Sequence, residues 1–274
     1  MITISNAKMV PGLKALWKEA FGDEDAYVDF FFANKYKHYE TYVYLYSELP
    51  VSMAFVFDAE LFIDNAYMPI KYIYGVATAK EYRRQGLSTQ ILEHIKAKYP
   101  SSFLVPSTEN LFCFYKRNGY KNAFVLEELH FDALDAFNPS TKLIFQDITP
   151  MEYKEIRDEY FMCNGYIRWD EEMIAYALAE NALCGGSTLR VKSADSDETH
   201  GILLYRCYQN QLFIKETTLA DQILQDVVFC LMKETGSLSC NVRLKAKDKK
   251  SGKHFGMLYH SSELENGYCN LVLD

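Results

Sequence analysis

The spacing of apolar residues predicts the secondary structure of the first half of the chain. Ile2 to Ser5 alternates as a short strand does, and residues 8–21 then place apolar side chains on one helical face. Asn6 is placed to cap that helix, and a second helix is predicted from about Asp23, where acidic residues suit a helix N-terminus. Runs rich in β-branched and aromatic residues then predict three strands, at 41–46, 51–57 and 67–78.

The pattern continues with a helix, a strand, a helix and a final strand, predicted at 86–98, 102–106, 109–117 and 120–131. The order up to residue 132 is therefore β-α-α-β-β-β-α-β-α-β. The second half predicts helices near 150–162, 170–182 and 220–235, and strands near 187–193, 200–208, 211–218 and 238–244. The two orders are similar, so we predict a pseudo-repeat, although no sequence identity between the halves is apparent.

The chain has 274 residues, which is about two domains at roughly 150 residues each. Residues 133–142 contain Asn-Pro-Ser and little periodicity, so we predict the domain boundary there. The predicted domains are residues 1–135 and 141–274.

Composition restricts the class of protein. Hydrophobic residues make up 49% and charged residues 24%, as in globular proteins, and the net charge of −8 argues against nonspecific nucleic-acid binding. No apolar run reaches the ~18–20 residues of a membrane span and no signal peptide is visible, so we expect a cytoplasmic protein that does not insert in a membrane. The seven cysteines and six histidines lack metal-ligand spacing, and we expect free thiols and no metal.

Residues 75–88 carry the clearest chemical signal. A predicted strand leads into a loop with Arg83, Arg84, Gln85 and Gly86, and the loop leads into a helix. Backbone N–H groups at such a helix start bind anions, and glycine allows a phosphate to approach closely. The segment has neither the glycines of a dinucleotide fingerprint nor the Gly-Lys-Ser/Thr of a Walker loop. A pyrophosphate or similar anion is expected here.

The loop resembles the acyl-CoA pyrophosphate loop of the GNAT superfamily of N-acetyltransferases. That family's Arg/Gln-x-x-Gly-x-Gly/Ala pattern falls on Arg83, Gly86 and Ser88, with Ser88 in place of the usual Gly or Ala. A second segment, from Asn110 through Tyr115 to Gly119-Tyr120, is similar to the family's Asn-x4-Tyr-x3-Gly-Phe element. The resemblance covers residues 1–132. It implies an α/β (α+β) fold with a mixed, mostly antiparallel sheet flanked by helices.

The resemblance also implies roles for individual residues. Tyr115 would protonate the leaving thiolate, and acetyl-CoA would be the co-substrate. The residues implied to bind it are Val76 and Thr78, through their main chains along the pantetheine arm, Arg83, Arg84, Gln85, Gly86, Leu87 and Ser88 at the pyrophosphate, and Asn110 at the arm. Asn110 could equally cap its helix.

Transfer from a thioester to an amine needs an oxyanion stabiliser, which a strand N–H near Val76 could provide, and a proton for the thiolate. Tyr74, Glu109 and Glu127 are candidate bases, and a water chain would serve equally well. The acceptor is expected to be a small-molecule or peptide amine. The alternative is a non-catalytic acyl-CoA-binding or regulatory module.

The second half has no matching loop between its predicted strand and helix at 211–235. Tandem members of the GNAT superfamily with one active and one degenerate copy exist, and this chain resembles them. We therefore expect residues 141–274 to be a degenerate GNAT-like domain that shapes the acceptor site. Neither the identity of the acceptor nor the oligomeric state follows from the sequence.

Overall fold

The computed structural model describes residues 1–133, 139–196 and 198–273. The chain divides into two compact units, each built from two stretches of sequence. Unit 1 comprises Met1–Phe124 and Phe255–Glu265, and unit 2 comprises Val125–His254 and Asn266–Asp274. A single domain boundary within residues 133–142, as predicted from the sequence, does not reproduce these units. Residues 134–138 of that segment lie outside the described residues. The functional domains 1–135 and 141–274 stay a prediction.

Unit 1 contains a mixed sheet and four α-helices. The helices are α1 (Val10–Phe21), α2 (Asp25–Asn34), α3 (Leu87–Lys98) and α4 (Glu109–Arg117). The strands are β1 (Ile2–Ile4), β2 (Thr41–Tyr46), β3 (Leu49–Ile63), β4 (Ala66–Thr78), β5 (Ser102–Leu104), the start of β6 (Lys121–Asp132), and β13 (Lys253–Tyr259). The element order predicted for residues 1–132 is confirmed.

The sheet of unit 1 has the order β1-β2-β3-β4-β5-β13-β6. Strands β1 to β4 pair antiparallel, β4 and β5 pair parallel, and β13 returns antiparallel to β5. The parallel pair requires a crossover, which α3 provides. The helix α3 buries Leu87, Ile91, Leu92 and Ile95, the apolar stripe that its sequence spacing predicts.

Helix α1 illustrates how the local sequence sets the element ends. Asn6 accepts a hydrogen bond from the backbone N–H of Lys8 and so caps a 3-10 turn that leads into α1. At the other end Gly22 has a φ of 78°, the left-handed conformation that commonly terminates a helix. Between them the indole of Trp17 is buried, and its ring centroid lies 4.4 Å from that of Phe31.

The described residues of unit 2 follow a similar order of elements up to residue 245. Its helices are α5 (Pro150–Phe161), α6 (Glu171–Leu183) and α7 (Asp221–Thr235). Its strands are the later part of β6 together with β7 (Leu143–Asp147), β8 (Tyr166–Arg168), β9 (Gly186–Ser193), β10 (Thr199–Tyr208), β11 (Gln211–Thr217) and β12 (Ser239–Lys245). The helices and strands predicted between residues 150 and 244 are confirmed, whereas β7, β8 and β13 were not predicted.

The sheet of unit 2 has the order β7-β9-β10-β11-β12-β6. Strands β7, β9, β10 and β11 pair antiparallel, β11 and β12 pair parallel across α7, and β6 pairs antiparallel with β12. Both units are thus mixed, mostly antiparallel sheets flanked by helices. The predicted fold class is confirmed.

Each of the seven cysteines is a free thiol. No helix among the described residues is both long and apolar enough to cross a membrane.

Candidate functional site

Strand β4 carries a bulge close to its end. Its register with β3 pairs Ala77 with Met53 and Tyr74 with Phe55, so two residues of β4 face one residue of β3. The first of the two, Gly75, has a φ of 58°. A Cβ at Gly75 would lie 2.8 Å from Cδ2 of the buried Phe55 ring, so glycine suits this position both for its φ and for the close approach. Such bulges re-aim backbone groups, and they are frequent next to active sites.

Beyond the bulge, β4 extends past its parallel partner. The register between β4 and β5 covers Lys71↔Ser102 and Tyr72↔Phe103, whereas β4 continues to Thr78. No residue of β5 is therefore paired with the β4 backbone at Val76 and Thr78. Both residues are half-buried. An open edge of this kind can pair with an extended ligand as an added strand would.

The loop between β4 and α3 has an alternating backbone conformation. Arg83 has a φ of −65°, Arg84 a φ of 65° and Gly86 a φ of 76°. Arg83 is extended, with a ψ of 157°, so the loop turns at Arg84 and Gly86. Successive backbone N–H groups in a turn can form a concave nest, the type of site that binds anions. Helix α3 follows at Leu87, and no side chain caps its first turn. Its free N–H groups and its dipole also favour an anion here.

Gly86 leaves space at the mouth of this loop. No heavy atom lies within 4 Å of the position that a Cβ would take there. The anion-binding role inferred from the sequence needs such an opening, because a phosphate must reach the backbone.

A chain of hydroxyl groups fixes the loop to the sheet. Ser52 on β3 lies 2.8 Å from the Thr78 hydroxyl, which lies 2.7 Å from the hydroxyl of Ser88 on α3. Ser52 is fully buried and donates to the carbonyl oxygen of Ala77. The Nε of Arg83 donates to the carbonyl oxygen of Thr78 at 3.0 Å. Ser88, the departure from the Gly/Ala pattern, therefore has a structural partner in Thr78.

These elements line one pocket of about 560 Å³, within the roughly 300–1,000 Å³ typical of small-molecule sites. Its lining residues are Thr78, Tyr82, Arg83, Arg84, Gly86, Leu87, Ser88, Thr89, Phe114, Arg117 and Asn118. Six of the nine predicted cofactor-binding residues are among them. The pocket therefore brings together residues of the loop, of α3 and of α4.

Three predicted cofactor-binding residues lie outside this lining: Val76, Gln85 and Asn110. Gln85 is exposed and donates to the carbonyl oxygen of Glu81. Asn110 is exposed in the first turn of α4, and the helix is capped by Thr108, whose hydroxyl accepts from the N–H of Leu111. The alternative that Asn110 caps α4 is wrong.

Three residues that the sequence analysis did not select face the pocket from α4. They are Phe114, Arg117 and Asn118, which recur at helical spacing of three and four and therefore share one face. That spacing was visible in the sequence, but nothing in it indicated which face of α4 meets the loop.

Tyr115 is buried in the apolar core of unit 1 and is not among the pocket-lining residues. Its ring centroid lies 5.0 Å from that of Phe114 and 5.9 Å from that of Tyr120. Burial raises the pKa of the Tyr115 phenol well above its ordinary value. The phenol therefore keeps its proton at neutral pH, as a proton donor must.

The candidate bases lie in three different environments. Tyr74 belongs to an aromatic cluster and lies 5.7 Å from Trp17 between ring centroids. Glu109 is exposed at the first position of α4. Glu127 lies in unit 2 and lines a pocket of about 640 Å³ there. Position alone does not select one of the three as the base.

The end of β11 in unit 2 holds a buried charge network. Glu216 is fully buried, and its carboxylate accepts from the Nε of Arg157 at 2.9 Å. The hydroxyls of Tyr153 and Tyr268 donate to the same carboxylate at 2.9 and 2.8 Å. All its oxygens therefore have internal partners, as a buried charge requires.

Within the described part of the chain, no group of three or more His, Cys, Asp or Glu side chains is arranged to hold a metal ion.

Comparison with known proteins adds to this geometry. Residues 2–123 match the model of the acetyltransferase (GNAT) domain. No curated protein sequence matches the chain.

Solved structures resemble nearly the whole chain. A conserved protein from Enterococcus faecalis has a TM-score of 0.71 and 16% identity, with 94% of this chain and 71% of that chain covered. GCN5-related N-acetyltransferases from Kribbella flavida and Anabaena variabilis have TM-scores of 0.67 and 0.68, each with 16% identity and 94% of this chain covered, and 71% and 72% of those chains. At these identities the likeness establishes the fold.

Proposed function

We propose that the protein is an N-acetyltransferase that moves an acetyl group from acetyl-CoA to a primary amine by direct transfer. The observation that carries the proposal is the loop before α3, because its left-handed residues and its arginines line a pocket at the uncapped start of that helix. The match of residues 2–123 to the acetyltransferase (GNAT) domain supports the same reaction class.

The residues present fit acetyl-CoA. The opening at Gly86 and the nest around Arg84 suit the pyrophosphate, and the open edge of β4 at Val76 and Thr78 suits the pantetheine arm. Asn110 stays a candidate for the arm. When bound, acetyl-CoA supplies the thioester whose acyl group the amine attacks.

The chain's own residues then act on charge and protons. A backbone N–H at the β4 bulge near Val76 is our candidate for stabilising the oxyanion, since the bulge frees it from regular pairing. Tyr115 is our candidate for protonating the leaving thiolate, because a phenol is protonated at neutral pH and burial raises its pKa further.

We further propose that unit 2 is a degenerate copy that shapes the acceptor site. Its loop between β11 and α7 comprises residues 218–220 and contains neither glycine nor arginine. Beyond the β11–β12 register, Lys215 bonds to the unit's own chain: its carbonyl oxygen accepts from Asn270, and its Nζ donates to the carbonyl oxygen of Val272. These contacts support the proposal, because residues 270–272 occupy the position beside β11 in which a cofactor arm would lie. The acceptor amine would be a small molecule or a peptide.

Acetyl-CoA binding tests the proposal first. A ligand at about 100-fold its Kd stabilises the folded state by about 2.7 kcal/mol, so the thermal midpoint should rise with acetyl-CoA concentration. Gly86→Ala should abolish that rise. Gly22→Ala is the matched control, because Gly22 has a φ of 78° and open space around it but lies outside the pocket. Absence of any rise in the unaltered protein would refute the cofactor assignment.

Free-thiol release with a panel of primary amines tests catalysis. We expect release that depends on both acetyl-CoA and an amine. Stabilisation by acetyl-CoA without thiol release for any amine would favour the non-catalytic acyl-CoA-binding or regulatory module instead.

A further inference from the structure

Three arginines line the pocket of unit 1. Arg84 in the loop and Arg117 at the end of α4 both line it, and neither makes a hydrogen bond or ion pair with any described residue. Both are exposed. No aspartate or glutamate lines the pocket, so its three arginines are not neutralised by the lining. A pocket with this charge favours a ligand of several negative charges.

The arginines of the pocket come from two elements. Arg83, Arg84 and the nest belong to the loop, whereas Arg117 approaches from a different element, beside Asn118. Under the proposed function the loop binds the pyrophosphate, which leaves Arg117 without an assigned partner. Coenzyme A carries a second phosphate group, the monoester on its ribose, and a phosphomonoester has about −1.5 to −2 charge at pH 7.

We propose that Arg117 binds the ribose 3′-phosphate of coenzyme A and gives the protein its preference for the phosphorylated cofactor. The proposal rests on the proposed function, since it concerns a second contact with the same ligand. A guanidinium suits this task because its planar donors can hold two phosphate oxygens at once.

The neighbouring residue separates this role from a general effect of charge. Lys116 and Arg117 both lie in the last turn of α4, where cations interact favourably with the helix dipole. Both side chains are exposed, but only Arg117 lines the pocket. Lys116→Met therefore removes an equal charge from the same turn without touching the proposed contact.

The test is calorimetric titration of the full chain with acetyl-CoA and with its 3′-dephospho analogue at one fixed salt concentration. We expect the unaltered protein to bind acetyl-CoA at least about tenfold more tightly, a difference of about 1.4 kcal/mol. Arg117→Met should weaken acetyl-CoA binding to the level of the analogue and leave the analogue's Kd unchanged within about twofold. Lys116→Met should leave both Kd values and their ratio unchanged. These Kd values are what a single contact between Arg117 and one phosphate would give, and the salt concentration is fixed because such a contact weakens with salt.

Equal affinity of the unaltered protein for the two ligands would overturn the role of Arg117 and leave the proposed function intact. Equal weakening of both ligands by Arg117→Met would also overturn it, because the arginine would then act on a group that both ligands share. Arg117→Lys, which keeps the charge but not the planar fork, should retain an intermediate preference. Failure of the unaltered protein to bind either ligand would instead contradict the proposed function itself.

Discussion

At the scale of single residues, burial sets the protonation state of Tyr115. Its side chain lies in the apolar core of unit 1, and the cost of placing a phenolate there raises its pKa above the ordinary value near 10. The phenol is therefore protonated throughout the range in which such enzymes are assayed. A group of this kind can supply a proton but is a poor base.

Tyr115→Phe should lower kcat by about 10²-fold or more, the usual contribution of a positioned general acid, and should leave the Kd of acetyl-CoA nearly unchanged. Because the pKa is raised, the acid form is lost only as pH rises above the ordinary tyrosine range. We therefore expect no decline of kcat between pH 7 and pH 10 that depends on Tyr115. Steady-state rates across that range, with and without the substitution, measure both effects.

Tyr120→Phe is the matched control for Tyr115→Phe. Tyr120 is also buried with a raised pKa, and its hydroxyl lies 2.9 Å from the hydroxyl of Ser102. Its loss should cost stability and leave kcat within a few-fold. Turnover that is unchanged in Tyr115→Phe would remove Tyr115 from the mechanism.

The sequence predicted the loop residues and missed Arg117 for one physical reason. Arg83, Arg84 and Gly86 are nearly consecutive, so their proximity is set by the chain itself. Arg117 reaches the same pocket only through the packing of α4 against the loop side of unit 1, which no local pattern encodes. Asn110 shows the converse. The motif selects it from the sequence, but in the structure it is exposed in the first turn of α4.

At the scale of elements, the strands that escaped prediction are short or interrupted. The strand β8 has three residues, too few for a period-2 pattern to stand out. The strand β13 follows a lysine-rich stretch and contains Gly256, which weakens a strand pattern. In the structure a Cβ at Gly256 would lie 3.0 Å from Cδ2 of Phe124, so close packing explains the glycine.

Helix α5 and strand β11 are joined by the ion pair of Arg157 with Glu216, both fully buried. Arg157→Met should destabilise unit 2 by about 3–5 kcal/mol, because it leaves a buried carboxylate without its cation. Adding Glu216→Gln should recover part of that loss, since the remaining amide carries no charge. Urea unfolding followed by far-UV circular dichroism measures the change in free energy.

Arg190→Met provides the comparison for that measurement. Arg190 pairs with Glu152 at 2.8 Å, but both side chains are partly exposed, so its loss should cost about 1 kcal/mol or less. A loss from Arg157→Met no larger than that from Arg190→Met would show that the buried pair does not stabilise the unit.

At the scale of the whole molecule, each unit takes one strand of its sheet from a distant part of the chain. In unit 1 the neighbour of β5 is β13, which comes from the far end of the chain, and in unit 2 the neighbour of β12 is β6, which follows α4. Sequence periodicity predicted the strands on either side of β13 in the sheet. It could not predict which strands become neighbours, because periodicity marks a strand but not the strand with which it pairs.

Unit 1 should therefore not fold from residues 1–124 alone. Met257 and Leu258 of β13 are buried, and burial of two such side chains contributes about 3–6 kcal/mol, a large part of the roughly 5–15 kcal/mol that stabilises a domain. We expect residues 1–124 to show no cooperative thermal transition. The same fragment joined through a flexible linker to residues 253–265 should regain the transition, as followed by circular dichroism.

A control fusion carries Met257→Ser and Leu258→Ser. It distinguishes the effect of the apolar contacts of β13 from the effect of lengthening the fragment. It should behave as the unfused fragment does, because the serines retain the backbone but bury little apolar surface. His260, which lies 2.6 Å from the hydroxyl of Ser101 through its Nδ1, is kept in every fusion, so its contact does not distinguish them. A cooperative transition in residues 1–124 with the same midpoint as the fusion would mean that β13 is dispensable. The position of β13 beside β5 would then be a matter of connectivity and not of stability.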